Sequence, residues 1–249
     1  MVKSGLNKTL LTGILAGVVS MGAHADSLGF FAGVSAWNAG LTGDVQSGPE
    51  SVDVKDELGF DDDTFVQAYV AFEHPVPGLP NLKLQYTELS QSANGTLTKT
   101  FDNVTFTGDV ASDVDLTHTD LIAYWRVLDN VVNLDLGLQA RMFDGEVVIR
   151  ETSGTKSEST TDIDEVVPML YGGIGVDLPL TGLSAGVNVA GLKYDDNRLV
   201  DVNARINYEI AVVGVEAGYR KISVDLDDIN DISADLSVGG PYLGISVHF

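Results

Sequence analysis

The chain of 249 residues carries 36 acidic and 14 basic side chains, a formal net charge of −22, and it contains no cysteine. The electrostatic field of such a negative chain repels phosphate backbones, which excludes nucleic acid as a partner. Without cysteine there can be no disulfide, no thiol catalysis and no cysteine-ligated metal site.

Residues 1–25 have the pattern of a secretory signal peptide. Two lysines precede an apolar run, and Ala23-His24-Ala25 supplies the small residues that a signal peptidase requires. The apolar run is shorter than the roughly 20 residues of a spanning helix. We therefore predict export through a cleaved signal and a single barrel domain over 26–249. Loss of the two lysines leaves 12 basic against 36 acidic residues, a net charge of −24.

The rest of the sequence alternates between apolar and polar residues with a period of two, which indicates strands with one apolar face. Segment 131–143 shows this most clearly, and segments 201–210 and 213–222 repeat it. The predicted strands are 28–41, 62–74, 81–92, 113–127, 131–150, 163–178, 183–194, 197–211, 213–226 and 233–249.

Short and long connections alternate between these strands, as in bacterial outer-membrane barrels, in which the short turns lie at the periplasmic end. The long connections include 42–61, 93–112 and 151–162, and they carry much of the acid. We predict an all-β fold, a closed antiparallel up-and-down transmembrane β-barrel of about ten strands. Eight strands remain the alternative, because 93–112 and 183–211 could pair differently.

Aromatic and glycine residues suggest two further features of the barrel. Aromatics near the short turns predict an interfacial girdle, with ordinary strand packing as the alternative. They are Phe30, Phe31, Phe72, Tyr124, Trp125, Tyr208 and Phe249. The glycines at 172–175 and 239–240 predict bends or bulges.

The segment 242–249 alternates apolar with small or polar residues and stops on an aromatic side chain. It resembles the terminal strand of Gram-negative outer-membrane proteins, and the whole chain resembles the small, acidic, glycine-rich barrels of gammaproteobacteria. A distant similarity to the W-type outer-membrane family matches none of that family's functional residues. The resemblance implies an outer-membrane location and an assembly signal formed by Ile245, Val247 and Phe249, recognised by the barrel-assembly machinery.

In a membrane the apolar phase must face lipid, so the polar phase is predicted to line the lumen. These side chains are Lys83, Gln85, Asp120, Arg126, Asp135, Gln139, Arg141, Arg205, Glu209, Glu216 and Arg220. Both charge signs are present, and enclosed charges are costly unless paired. The lumen is therefore either filled by ion pairs or a narrow water-filled path.

Two other chemistries have weak sequence support. His118 lies near Asp113, Asp115 and Asp120 at the outer end of a strand, where a histidine and a carboxylate could activate water, but no nucleophile motif accompanies it. Clustered acids could bind divalent cations weakly through hard oxygen ligands. They are Asp61, Asp62, Asp63, Asp227, Asp228 and Asp231.

The function predicted from these features is that of an integral outer-membrane protein with a structural or surface-interaction role. We expect no catalytic activity and no cofactor. The alternatives are a narrow channel for small solutes or ions, and an outer-rim hydrolase that uses His118. The predicted partners are outer-membrane lipid and lipopolysaccharide, divalent cations, and the barrel-assembly machinery.

Overall fold

The computed structural model describes residues 28–48, 50–153, 157–229 and 232–249, so the predicted signal peptide lies outside the described residues. Within these ranges no helix is long and apolar enough to cross a membrane. The strands are β1 (Gly29–Ser47), β2 (Glu50–Asp53), β3 (Asp63–Glu73), β4 (Asn81–Thr87), β5 (Ser90–Leu97), β6 (Thr100–Phe101), β7 (Val104–Thr105), β8 (Gly108–Asp115), β9 (His118–Asp129), β10 (Val132–Phe143), β11 (Gly145–Glu151), β12 (Glu158–Ile163), β13 (Val166–Leu178), β14 (Leu183–Tyr194), β15 (Asn197–Ile210), β16 (Val213–Ile229) and β17 (Ile232–His248).

Ten of these strands form a closed antiparallel barrel in the order β1-β3-β4-β9-β10-β13-β14-β15-β16-β17. The first and last strands close it, with pairs running from Phe31 opposite His248 to Ser47 opposite Ile232. Closure leaves no free sheet edge in the ring, as a membrane requires. The predicted fold class is confirmed with ten strands, not eight.

The two ends of the barrel differ strongly. Tight connections at 74–80, 130–131, 179–182 and 211–212 lie at the end where β1 begins and β17 ends. Short turns mark the periplasmic end of such barrels. At the opposite, outer end, β1, β16 and β17 run well past the tight β14–β15 turn.

The outer end carries a folded cap where long loops were predicted. The supposed loops 93–112 and 151–162 contribute to a four-stranded sheet in the order β12-β11-β8-β5. This sheet prolongs β13, β10, β9 and β4 beyond short breaks such as Leu116–Thr117. The prediction of 93–112 and 151–162 as long loops was wrong because alternation continues past the membrane, as at Val110 and Val114, which are buried on one face of the sheet.

Segment 54–62 folds between the outer sheet and the barrel mouth. Its backbone covers the open edge of β5, where the Thr96 amide donates to the Glu57 carbonyl oxygen over 2.9 Å. The apolar core of the cap comprises Val52, Val54, Leu58, Phe60, Leu97, Phe101, Phe106, Val110 and Ile149. We use the name cap for β2, segment 54–62, the hairpin β6–β7 and the outer sheet.

The barrel exterior at membrane level is apolar, as predicted. Exposed side chains on it include Val66, Val70, Leu82, Leu84, Leu121, Leu136, Leu138, Leu170, Ile174, Ile206, Val215, Leu243 and Ile245. In water such a continuous apolar surface would cause aggregation, whereas in a bilayer it contacts the acyl chains of the lipid.

The predicted aromatic girdle is only partly present. Phe30, Trp125, Tyr208 and Phe249 are exposed near the periplasmic end. Tyr124 is buried inside the barrel and donates to Glu73. Phe31 also faces inward, where it stacks on His248 with ring centroids 4.1 Å apart. Their strand phase explains this, because neighbouring residues in a strand point to opposite faces.

Two glycines of the barrel make room for tyrosine rings in the lumen. A Cβ atom on Gly218 would lie 2.5 Å from the Tyr242 ring, and one on Gly33 would lie 2.5 Å from the Tyr69 ring. Segment 172–175 pairs regularly on both sides. Register shifts occur instead at Leu134/Asp135 and near the β16–β17 turn, so the bulge predicted at 172–175 was misplaced. At Gly239–Gly240 the β1–β17 ladder is interrupted between the pairs Gly40–Gly239 and Trp37–Tyr242, without a change of register.

Candidate functional site

A buried cluster of four charges crosses the middle of the lumen, formed by Asp120, Arg141, Asp201 and Arg220. Arg141 donates to both oxygens of Asp120, over 2.8 and 2.9 Å, and to Asp201 over 2.5 Å. Arg220 donates to the Asp201 oxygens over 3.1 and 2.6 Å. The arginines are 0% and 1% exposed. We call these four residues the central cluster.

Strand pairing explains how the central cluster forms. Arg141 lies directly opposite Asp120 on the β9–β10 pair. Arg220 reaches across the lumen and donates to Gln67 over 3.0 Å and to Thr87 over 2.9 Å. Six strands therefore contribute side chains to one hydrogen-bonded layer. A layer of bidentate arginine–carboxylate bonds holds its geometry firmly.

His118 belongs to this enclosed layer. It is 2% exposed, and its Nδ1 donates to the Leu116 carbonyl oxygen over 2.8 Å. Asp120 lies 3.9 Å from its Nε2, whereas Asp113 contacts Ser92 and Arg150 on the cap. The expectation that His118 stands at an accessible outer rim among aspartates was wrong, because its strand phase turns it into the lumen.

Above the central cluster the lumen is apolar, which the prediction of a polar interior did not foresee. Trp37 is fully buried and donates its indole N–H to the Gly240 carbonyl oxygen over 3.0 Å. The Arg220 guanidinium lies over its ring, 5.3 Å from the centroid. The other inward side chains of this outer plug are Ala39, Leu41, Phe65, Leu199, Ile222 and Val238.

Below the central cluster a cavity of about 440 Å³ opens towards the periplasmic turns. Near its opening, Arg126 donates to both oxygens of Glu73, over 2.9 and 2.7 Å, and to Asp135 over 3.1 Å. Tyr124 donates to Glu73 over 2.6 Å. Deeper in the cavity, Tyr69 donates to Glu216 over 3.2 Å. Polar groups of many strands thus converge on one water-accessible space.

The side chains that were predicted to line the lumen all lie along its interior. Asp120, Arg141 and Arg220 form most of the central cluster. Gln139 is buried beside it, with its amide nitrogen 3.8 Å from the Met169 sulfur. The cavity below is lined by Lys83, Arg126, Asp135, Arg205, Glu209 and Glu216, and Gln85 borders a smaller void above it.

Several interior residues escaped the sequence analysis. Asp201, which joins both arginines of the central cluster, shares its strand phase with Arg205 and Glu209 and could have been found from that phase. Tyr69 was harder to place, because β3 carries apolar residues on both faces. In that strand Asp63, Gln67 and Glu73 are the polar residues of the inward phase.

The outer surface of the cap is polar and largely acidic. Arg150 joins Asp113 and Glu158, over 3.1 and 3.2 Å, across three strands of the outer sheet. Lys99 donates to Glu57 over 2.6 Å. Burial acts to raise the pKa of Glu57, but the Lys99 ammonium and the hydrogen bond from the Asp53 backbone amide together outweigh it, so this pKa lies below its usual value.

The acids that could bind divalent cations do not form a recognisable metal site in the described part of the chain. Asp61, Asp62 and Asp63 are exposed at the cap base. Among the described residues, no three histidine, aspartate or glutamate side chains form a group that could hold a metal ion. Asp231 and the side chain of Asp228 lie outside the described part of the chain.

The terminal strand takes its place in the closed ring. The backbones of Phe30 and Phe249 exchange two hydrogen bonds of 2.9 Å. Ile245 and Phe249 expose half or more of their surface outward, and Val247 is half-buried.

No protein-family profile matches the chain, and no curated protein matches it in sequence. Solved structures are similar to it in fold. One is the outer-membrane protease OmpT from Escherichia coli, with a TM-score of 0.57 and 10% identity over 89% of this chain and 97% of that one. This is the fold of a Gram-negative outer-membrane β-barrel. The predicted outer-membrane location agrees with this fold and with the apolar exterior.

Two further structures have lower scores. The translocator domain of the autotransporter NalP from Neisseria meningitidis has a TM-score of 0.49 and 12% identity over 91% of this chain and 90% of that one. The outer membrane protein AlkL, solved by solid-state NMR in lipid bilayers, has a TM-score of 0.38 and 12% identity over 94% of this chain and 95% of that one.

Proposed function

We propose that this outer-membrane barrel is a non-conducting support for its extracellular cap, and that the cap has a structural or surface-interaction role. The observation that carries the proposal is the double barrier in the lumen. The central cluster spans the interior at one level, and the apolar plug around Trp37 fills the next level outward.

The energetic argument favours a sealed lumen over a channel. An ion on its way through would have to separate buried charges, and breaking a buried pair costs about 3–5 kcal/mol. It would then have to enter a space lined by Trp37, Phe65 and Leu41, where an unpaired charge is strongly disfavoured. Conducting states of the barrel would therefore be rare.

The cap supports the proposed surface role. Its outer sheet presents mainly carboxylates and hydroxyl groups, and Arg150 already forms ion pairs with two acidic side chains. A negative surface of this kind suits divalent cations that bridge to lipopolysaccharide phosphates, or a basic partner. OmpT is described as a protease, but a shared fold does not transfer chemistry. The enclosure of His118 gives no support to a rim hydrolase here.

Planar bilayer recordings test the seal. We expect purified protein to show no stepwise conductance under conditions in which a control porin opens. A triple variant, Trp37→Ala with Asp120→Ala and Arg141→Ala, removes part of the plug and a matched pair of opposite charges. We expect this variant to leak.

Both proteins must first show the faster gel migration of an unboiled, closed barrel, so that an unfolded sample is not mistaken for a leak. Regular single-channel steps from the wild-type protein would contradict the proposal and favour a narrow channel.

A further inference from the structure

The closed upper end of the periplasmic cavity contains two cations without carboxylate partners. The Lys83 ammonium lies 4.7 Å from the centroid of the Tyr69 ring. Arg205 lines the same cavity together with Glu216, whose carboxylate accepts a hydrogen bond from Tyr69 over 3.2 Å. Within the described ranges, no carboxylate lies within 4.0 Å of either cation, although the rest of the lumen is extensively paired.

Two neutral donors face the same space. Tyr171 and Asn188 both line the cavity, and neither makes a hydrogen bond to another described residue. The four groups come from β4, β13, β14 and β15, so rigid strands hold them in place. Unpaired donors held on such a scaffold are already organised to receive an acceptor, and charged donors bind a carboxylate or phosphate most strongly.

The opening of the cavity has the opposite charge. Glu73 and Asp135 share the single positive charge of Arg126. Asp177 receives a hydrogen bond from the neutral amide of Asn133, and Glu209 lies 3.7 Å from His248. A simple anion would be repelled by the carboxylates at this opening. A molecule that carries an anionic group at one end and an ammonium group at the other could pair with the cations at the closed end and with the carboxylates at the opening.

We propose that the cavity binds a small zwitterionic molecule that enters from the periplasm. Its carboxylate or phosphate is held by Lys83 and Arg205 with help from Tyr171 and Asn188. Its ammonium group lies towards Glu73 and Asp135. The volume of about 440 Å³ falls within the range of small-molecule sites, and the paired central cluster lies beyond its closed upper end.

A set of probes that differ in their charged groups separates the two ends of the ligand. Protein in detergent micelles is titrated by calorimetry with 4-aminobutyrate, which carries both charges, and with butyrate and butylammonium, which carry one each. We expect 4-aminobutyrate to bind about tenfold more tightly than either, the effect of one additional charged hydrogen bond. Phosphoethanolamine and inorganic phosphate repeat the comparison for a phosphate group.

Two variants assign the site. Arg205→Gln and Lys83→Met should each weaken binding of the zwitterion about tenfold, since each removes one charged donor. Arg198→Gln is the matched control, because Arg198 pairs with Asp225 at the exposed outer end of the barrel. It should leave affinity unchanged.

Three outcomes would overturn the proposal: no heat of binding for any probe, equal affinity for butyrate and 4-aminobutyrate, or zwitterion binding that survives Arg205→Gln and Lys83→Met. All variants are checked for the heat-dependent gel shift of a closed barrel, so that a folding defect is recognised. None of these results depends on whether the lumen conducts.

Discussion

Replacing Gly240 by alanine is expected to prevent closure of the barrel, whereas the same change at Gly239 should be tolerated. A Cβ atom on Gly240 would overlap the backbone carbonyl oxygen of Asn38 and lie 2.8 Å from the Ala39 Cα atom. Both obstacles are backbone atoms of β1, the strand that pairs with β17 to close the ring. They cannot move without separating the two strands.

The carbonyl group of Gly240 also accepts the Trp37 indole N–H, so a shift of this backbone would disturb the outer plug as well. A Cβ atom on Gly239 instead meets the Tyr219 hydroxyl at 3.3 Å and the Lys221 Cγ atom at 3.4 Å. Both atoms belong to side chains that can adjust, and neither is a backbone atom. The neighbouring glycines thus form a matched pair that differs in what each Cβ atom would contact.

The measurement is refolding into detergent micelles followed by gel electrophoresis with and without boiling. We expect Gly239→Ala to show the fast-migrating folded band of the wild-type protein and Gly240→Ala to lose most of it. Equal folded fractions for the two variants would contradict the close approach of β17 to β1 at Asn38.

The second large effect is expected for Asp201→Asn. Asp201 accepts hydrogen bonds from both Arg141 and Arg220, and its replacement leaves two buried guanidinium groups with Asp120 as the remaining carboxylate of the cluster. Removal of one partner from a buried ionic network costs about 3–5 kcal/mol. We expect the free energy of unfolding to fall by about that amount.

Asp225→Asn provides the control for this change. Asp225 pairs with Arg198 over 2.8 Å, but its side chain is 38% exposed and that of Arg198 is 51% exposed. An exposed pair contributes about 0–1 kcal/mol. Urea titrations of both variants in the same detergent measure the difference. A loss for Asp201→Asn no larger than that for Asp225→Asn would show that the central cluster does not stabilise the barrel.

Much of the barrel can be predicted from local alternation. In β10, Leu134, Leu136 and Leu138 alternate with Asp135 and Gln139, so the pattern identifies both the strand and its two faces. Where the residues on both faces of a strand are apolar, the alternation did not predict which face points into the lumen and which points to lipid. Phe65 and Val66 in β3 look equally suited to lipid, yet Phe65 is buried in the plug and Val66 is exposed on the exterior.

The sequence by itself determined the ten barrel strands, the inward and outward faces of those that alternate clearly, the short periplasmic turns and the acidic character of the chain, because each follows from residues close together along it. Only the tertiary structure decided which inward residues meet. Arg220 contacts Gln67, Thr87 and Asp201 because the ring closes, and these partners lie far apart in sequence. Pairings across a lumen depend on strand register and barrel curvature, which no local pattern contains.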